Sequence, residues 1–92
     1  MAWSTIRKAT DTDIDRLQSA AVRFCRRHEI PFQNPQQATS EIDCLLSLGP
    51  ECGHEIEYKA KRLRPLWRRI VRRTLGNGAD GIAYGYVGFS VE

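Results

Sequence analysis

Apolar residues recur at two different spacings along this chain, and the change from one to the other marks out its elements. Through the middle the spacing is helical. Ile14, Leu17, Ala21, Phe24, Cys25 and His28 share one side of a helix predicted over residues 11–28. Thr10 is placed to cap it, and Asp11, Asp13 and Asp15 suit the positive end of its dipole. Ile30 precedes Pro31 and is biased away from the α region, which ends the helix. Asn34 as cap and Pro35 as first helical residue announce a second helix. Ala38, Ile42, Leu45 and Leu46 form its stripe, and Gly49-Pro50 stops it before a turn at Glu51-Cys52-Gly53-His54. A third helix is predicted over residues 54–75, with Ile56, Ala60, Leu63, Trp67, Ile70, Val71 and Thr74 on one stripe. Glu55 and Glu57 suit its first turn, and Gly76-Asn77-Gly78 terminates it. Pro65 removes one backbone hydrogen bond, so a kink or a split at Arg64 is expected.

At both ends the spacing shortens. Trp3, Ser4, Thr5, Ile6, Arg7 and Lys8 read as a short strand. Residues 82–91 alternate well enough for a strand or a tight hairpin. Val87, Phe89 and Val91 are expected on one face, and Ile82, Tyr84 and Tyr86 on the other. An isolated strand is not stable, so the two ends should pair. The predicted class is α+β: a single domain, residues 1–92, with three helices packed on a small antiparallel sheet formed by the N- and C-terminal strands.

Composition narrows the class. The 41% hydrophobic and 27% charged fractions are those of an ordinary globular domain, not of a disordered chain. No run approaches the roughly 20 apolar residues that span a bilayer. No apolar stretch follows Met1, so secretion is not expected. Cys25, Cys44 and Cys52 are an odd set without a paired framework, which favours a reducing cytoplasm.

Charge changes the picture more. Residues 1–57 carry six Lys or Arg against nine Asp or Glu, whereas residues 58–92 carry eight against two. All eight fall in residues 59–73, uninterrupted by any acid. Helical spacing puts Lys61, Arg62, Arg68, Arg69, Arg72 and Arg73 opposite the apolar stripe of the third helix. An ordinary solvated face mixes signs. Here Arg68–Arg72 and Arg69–Arg73 are like-charged i,i+4 pairs, each costing about 0.2–0.5 kcal/mol. A face held at that cost is suited to a polyanion. Arg23, Arg26 and Arg27 on the first helix extend the surface if the two helices lie side by side. Arginine outnumbers lysine six to two in the segment, and its planar fork suits phosphate and carboxylate alike. The expected partner is therefore a nucleic acid or ribonucleoprotein, bound mainly through phosphates.

Other chemistry is thin. Tyr84 and Tyr86 could stack on bases or pack in the core. Trp3 and Trp67 read as structural. Cys25, His28, Cys44, Cys52 and His54 have spacings that match no zinc module, and no nucleophile–base constellation is readable. Neither cofactor, metal nor enzymatic activity is expected.

Two resemblances add expectations. Ser4-Thr5-Ile6-Arg7-Lys8-Ala9-Thr10, with Asp13-Ile14 and Leu17, resembles the first strand and helix of a GCN5-related N-acetyltransferase. Arg73-Thr74-Leu75-Gly76-Asn77-Gly78 matches that family's R-x-x-G-x-G pyrophosphate pattern, which implies a truncated acyl-CoA-binding domain. In that family the loop leads from a strand into a helix; here the predicted order is helix, then strand. In size, α+β reading and concentrated cationic face the whole chain is also similar to small phage anti-CRISPR proteins directed at type I-F surveillance complexes. No motif carries that likeness. It implies a non-enzymatic inhibitor that docks on Cas subunits in the host cytoplasm, with arginines reaching guide RNA or the path of target DNA. A small DNA-binding regulator is the alternative, and would need a recognition helix and usually a dimer.

Overall fold

The computed structural model describes residues 3–47 and 54–90, and the side chains of residues 54–57 are outside that description. Its elements follow the two spacings. β1 is Thr5–Lys8, α1 Asp11–Arg27, α2 Ala38–Ser47, α3 His54–Leu75, β2 Ala79–Ala83 and β3 Tyr86–Phe89. The sheet is antiparallel in the order β1-β3-β2, so the N-terminal strand pairs with the last one.

Local chemistry sets the helix ends. The Thr10 hydroxyl accepts from the Asp13 N–H at 3.1 Å, and the Asp13 carboxylate accepts from the Thr10 N–H at 2.8 Å. This reciprocal box satisfies two donors at the start of α1. At its other end Glu29 takes a left-handed φ of 56°, and Ile30 N–H donates to the Cys25 carbonyl at 2.8 Å. That closure, rather than Pro31 alone, turns the chain. Asn34 makes no side-chain cap bond. Pro35–Gln37 form a short 3-10 turn ahead of α2, so the expected side-chain cap at Asn34 is absent. The stop at Gly49-Pro50, the turn before His54 and the placement of Val91 lie outside the described residues.

α3 is one helix through Pro65, not two. Proline at this position lacks the N–H that would meet the Lys61 carbonyl. Both residues are exposed, so water can take the donor's place. Leu17, Phe24, Ile42, Leu63, Trp67 and Val71 form the centre of the core, where α1, α2 and α3 meet. Ile42 and Leu63 are fully buried, each stabilising the fold by about 1.5–3 kcal/mol relative to exposure. Ile14, expected on the inward stripe of α1, is 43% exposed: it lies in the first turn, ahead of Leu17, where the buried part of that stripe begins.

Tyr84 and Gly85 join β2 to β3 with φ of 53° and 80°. Two positive φ values are what a two-residue hairpin loop with the sheet's own twist requires. The turn resets the alternation. Ile82 pairs with Val87, so these two share a face, which corrects the expected assignment of Ile82 to the face of Tyr84 and Tyr86. A bulge at Asp80 shifts the register, and the Asp80 carboxylate accepts from the Ser90 hydroxyl. Gly76, with φ of 121°, receives the chain from α3, and its N–H donates to the Arg72 carbonyl at 2.9 Å. Residues 73–78 thus lead out of a helix C-terminus into a strand, where the partial charge is negative.

Candidate nucleic-acid interface

α3 packs against α1 on one side and against α2 and β2 on the other. This arrangement divides the arginines that helical spacing alone puts on one face. Advancing 100° per residue, Arg62, Arg69 and Arg73 fall on the edge toward α1. Lys61, Arg64, Arg68 and Arg72 fall on the edge toward α2 and the sheet.

On the first edge the two helices leave a groove of about 490 Å³. Arg23 and Arg27 of α1 line one wall, and Arg69 and Arg73 of α3 the other. Phe24, Leu66 and Ile70 contribute apolar surface between them, with His28 at one end. Every one of these four arginines is exposed. No acid lines this groove. A shallower depression continues it past Arg23 and Arg73 to Arg16, Ser19 and Asp15.

His28 reports on the field here. Its ring lies against Phe24, with centroids 4.5 Å apart, and its pKa is pressed below the ordinary imidazole value. Burial is the first cause, and Arg27, Arg62 and Lys59 add to it. Those three cations therefore stand near the same end of the groove.

The second edge differs. Arg64 donates to the Leu46 carbonyl at 2.6 Å and so closes the end of α2. Arg64 and Arg68 share a depression with Asp43 and Asp80, between Trp3 and Trp67. Signs are mixed there. Arg72 is half-buried, not turned fully to water as its spacing suggests, because α3 packs against β2 as well as against the helices. Lys61, Arg62 and Arg68 are exposed, as is Arg26 on α1, although Arg26 does not line the groove.

Among the described residues the one ion pair is Arg7–Asp13. Glu41 and Asp43 form no ion pair with Arg62, Arg64, Arg68, Arg69 or Arg73. None of the four groove arginines forms an ion pair with an acid among the described residues, and Asp15 is the one acid that shares a neighbouring depression with Arg23 and Arg73.

The remaining sequence candidates scatter. Cys25 is buried and donates through Sγ to the Ala38 carbonyl at 3.7 Å, while Cys44 is exposed on α2. Burial pushes the Cys25 thiol up, with Glu41 adding to the effect. Cys52 and the His54 side chain lie outside the described residues. No group of His, Cys, Asp and Glu suited to a metal occurs among the described residues. Tyr84 is fully exposed at the hairpin tip and Tyr86 is 43% exposed. Trp3 is half-buried over the sheet, and Trp67 is buried against Phe24 with centroids 5.2 Å apart. Leu66 is the residue that sequence reading passes over. It is off the apolar stripe and 37% exposed, and its only signal is an aliphatic side chain amid charge.

No helix of the described residues is long and apolar enough to cross a membrane. No known protein family, curated protein or solved structure matches this chain.

Proposed function

We propose that this protein is a non-enzymatic binding protein that grips the phosphate backbone of a nucleic acid, free or held in a nucleoprotein, through the α1/α3 groove. One observation carries the reading: four exposed arginines from two helices face one another across a groove without an acidic lining residue. Guanidinium forks meet phosphate oxygens in pairs of charge-assisted hydrogen bonds. Release of counterions then makes binding steeply dependent on salt.

Four phosphate contacts on a single strand correspond to a slope of about −3 in log K against log salt. The combined variant Arg23→Glu, Arg69→Glu, Arg73→Glu should lose binding while its thermal melt and circular dichroism stay those of the parent. Undiminished binding by that folded variant overturns the proposal.

The similarity in overall design to anti-CRISPR proteins supports a narrower form. In it, the nucleic acid belongs to a type I-F surveillance complex and the protein is a stoichiometric inhibitor. Titrating the protein into such a complex checks this. Target binding or cleavage should fall to zero near one equivalent, and the triple variant should restore it.

A further inference from the structure

A surface that reads duplex phosphates needs cations and little else. The groove offers more. Leu66, 37% exposed, and half-buried Ile70 form an apolar strip between the arginine walls, with Phe24 beneath. The depression beside Trp3 mixes acids with arginines, and the one at Phe32 and Glu41 has no cation in its lining. Among these depressions the α1/α3 groove alone combines an apolar strip with unmixed positive walls.

A duplex hides the flat faces of its bases in the stack and would leave that strip uncovered. An unpaired nucleotide carries both matching parts, an anionic backbone and a planar apolar face. Arg23 and Arg27 on one wall, and Arg69 and Arg73 on the other, are i,i+4 pairs. Each pair is spaced about 6 Å along its helix axis, a step comparable with that between phosphates of an extended strand. The half-buried His28 ring at the groove's end adds a planar surface to this aliphatic strip.

We infer that the α1/α3 groove takes a single-stranded segment, with an unpaired base laid on Leu66 and Ile70 and the flanking phosphates on Arg23, Arg27, Arg69 and Arg73. This rests on the phosphate-directed binding proposed above and adds to it a preference for unpaired nucleotides. Little sequence selectivity is expected, since every base has an apolar face and the four arginines are assigned to phosphates rather than base edges.

Fluorescence anisotropy with three labelled probes tests it: a uridine hexanucleotide, an abasic hexanucleotide of equal charge, and a duplex with the same number of phosphates. The uridine strand should bind about tenfold tighter than the abasic strand, and tighter than the duplex. Leu66→Ser should erase the uridine–abasic difference and leave abasic affinity unchanged. The comparison on the parent protein stands even if that variant melts early. Equal affinity for the uridine and abasic strands would overturn this inference while leaving the phosphate-directed reading intact. So would tighter binding of the duplex. Competition by uridine monophosphate at the hexanucleotide's own concentration would mean a small-molecule site, and would overturn the strand assignment. If none of the three probes binds, the parent reading fails as well.

Discussion

Arg7 and Asp13 meet through two points: Nη1 donates to Oδ2 at 2.7 Å and Nη2 to Oδ1 at 3.3 Å. The same guanidinium donates to the Leu75 carbonyl at 2.9 Å and lies over the Phe89 ring, 5.9 Å from its centroid. One side chain on β1 thus joins the first turn of α1, the last turn of α3 and the central strand. It fastens together the two helices that form the groove, at the end opposite His28. An arginine with these partners is occupied structurally, in contrast to those of the groove.

Asp13 gives the first prediction. Its hydrogen bond from Arg7, then that from the Thr10 N–H, holds its carboxyl well below the usual carboxylate range. A lowered folded-state pKa means that the unfolded chain takes up the proton first. The stabilisation is present above the unfolded value, about pH 4, and is lost as the pH falls below it. Asp13→Ala should melt lower than the parent at pH 7. The gap between the two melting temperatures should narrow steadily from about pH 4 to pH 2. A constant gap across that range would refute the assignment.

Trp3 and Gly88 give the second. A Cβ on Gly88 would lie 1.7 Å from the Trp3 indole, so the ring rests directly on the strand backbone. Gly88→Ala must displace that ring, at a cost of about 1–3 kcal/mol. Trp3→Ala removes the obstacle. In that background the second substitution should cost little, so the double-mutant cycle should show a coupling of at least 1 kcal/mol. Chemical denaturation of the four proteins reads this directly, and additive effects would mean that the ring does not sit there in solution.

The success of the sequence reading tracks the range of the forces involved. The cap at Thr10, the outer limits of α3 and the buried run Leu63, Trp67 and Val71 depend on neighbours within a turn or two, and were legible; the return bond from Thr10 N–H to Asp13 was not read. The α+β class followed from the two spacings and the need of a terminal strand for a partner. The division of the arginines was not legible, because a helical wheel shows which residues share a side but not which helix packs beside them. Whether Pro65 would split α3 was not legible for a related reason: its cost depends on whether the freed carbonyl meets water or protein. Ile82 changed faces because parity is counted through a turn whose length, Tyr84 and Gly85, the alternation does not disclose. Arg7 looked like any strand residue, since its partner lies across a strand-to-helix turn and its third contact, Leu75, is 68 residues away.

That division yields a third prediction, about which arginines matter. If the α1 edge of α3 holds the phosphates, Arg69→Ala and Arg73→Ala should each lower the magnitude of the salt slope by about 1. Arg68→Ala lies on the other edge, in a depression that also holds Asp43 and Asp80, and should leave the slope unchanged. Affinities at four salt concentrations suffice. A loss at Arg68 equal to that at Arg69 would move the interface to the α2 edge.

His28 offers the fourth, because it titrates where nucleic acid would arrive. In the free protein burial, then Arg27, Arg62 and Lys59, keep its pKa below the ordinary 6.5. The folded state therefore disfavours the imidazolium. Stability is full above about pH 6.5 and declines as the pH falls from there toward the lowered folded value. His28→Gln should remove that part of the acid-side decline. A bound phosphate brings negative charge to the ring and offsets the field of the three nearby cations. The His28 midpoint should then rise on binding, and by reciprocity a fall from pH 7 to 5.5 should tighten binding in the parent but not in His28→Gln. Proton NMR of the imidazole, assigned by its loss in that variant, follows both states. A midpoint that stays put, or moves down, would place the anion elsewhere on the molecule.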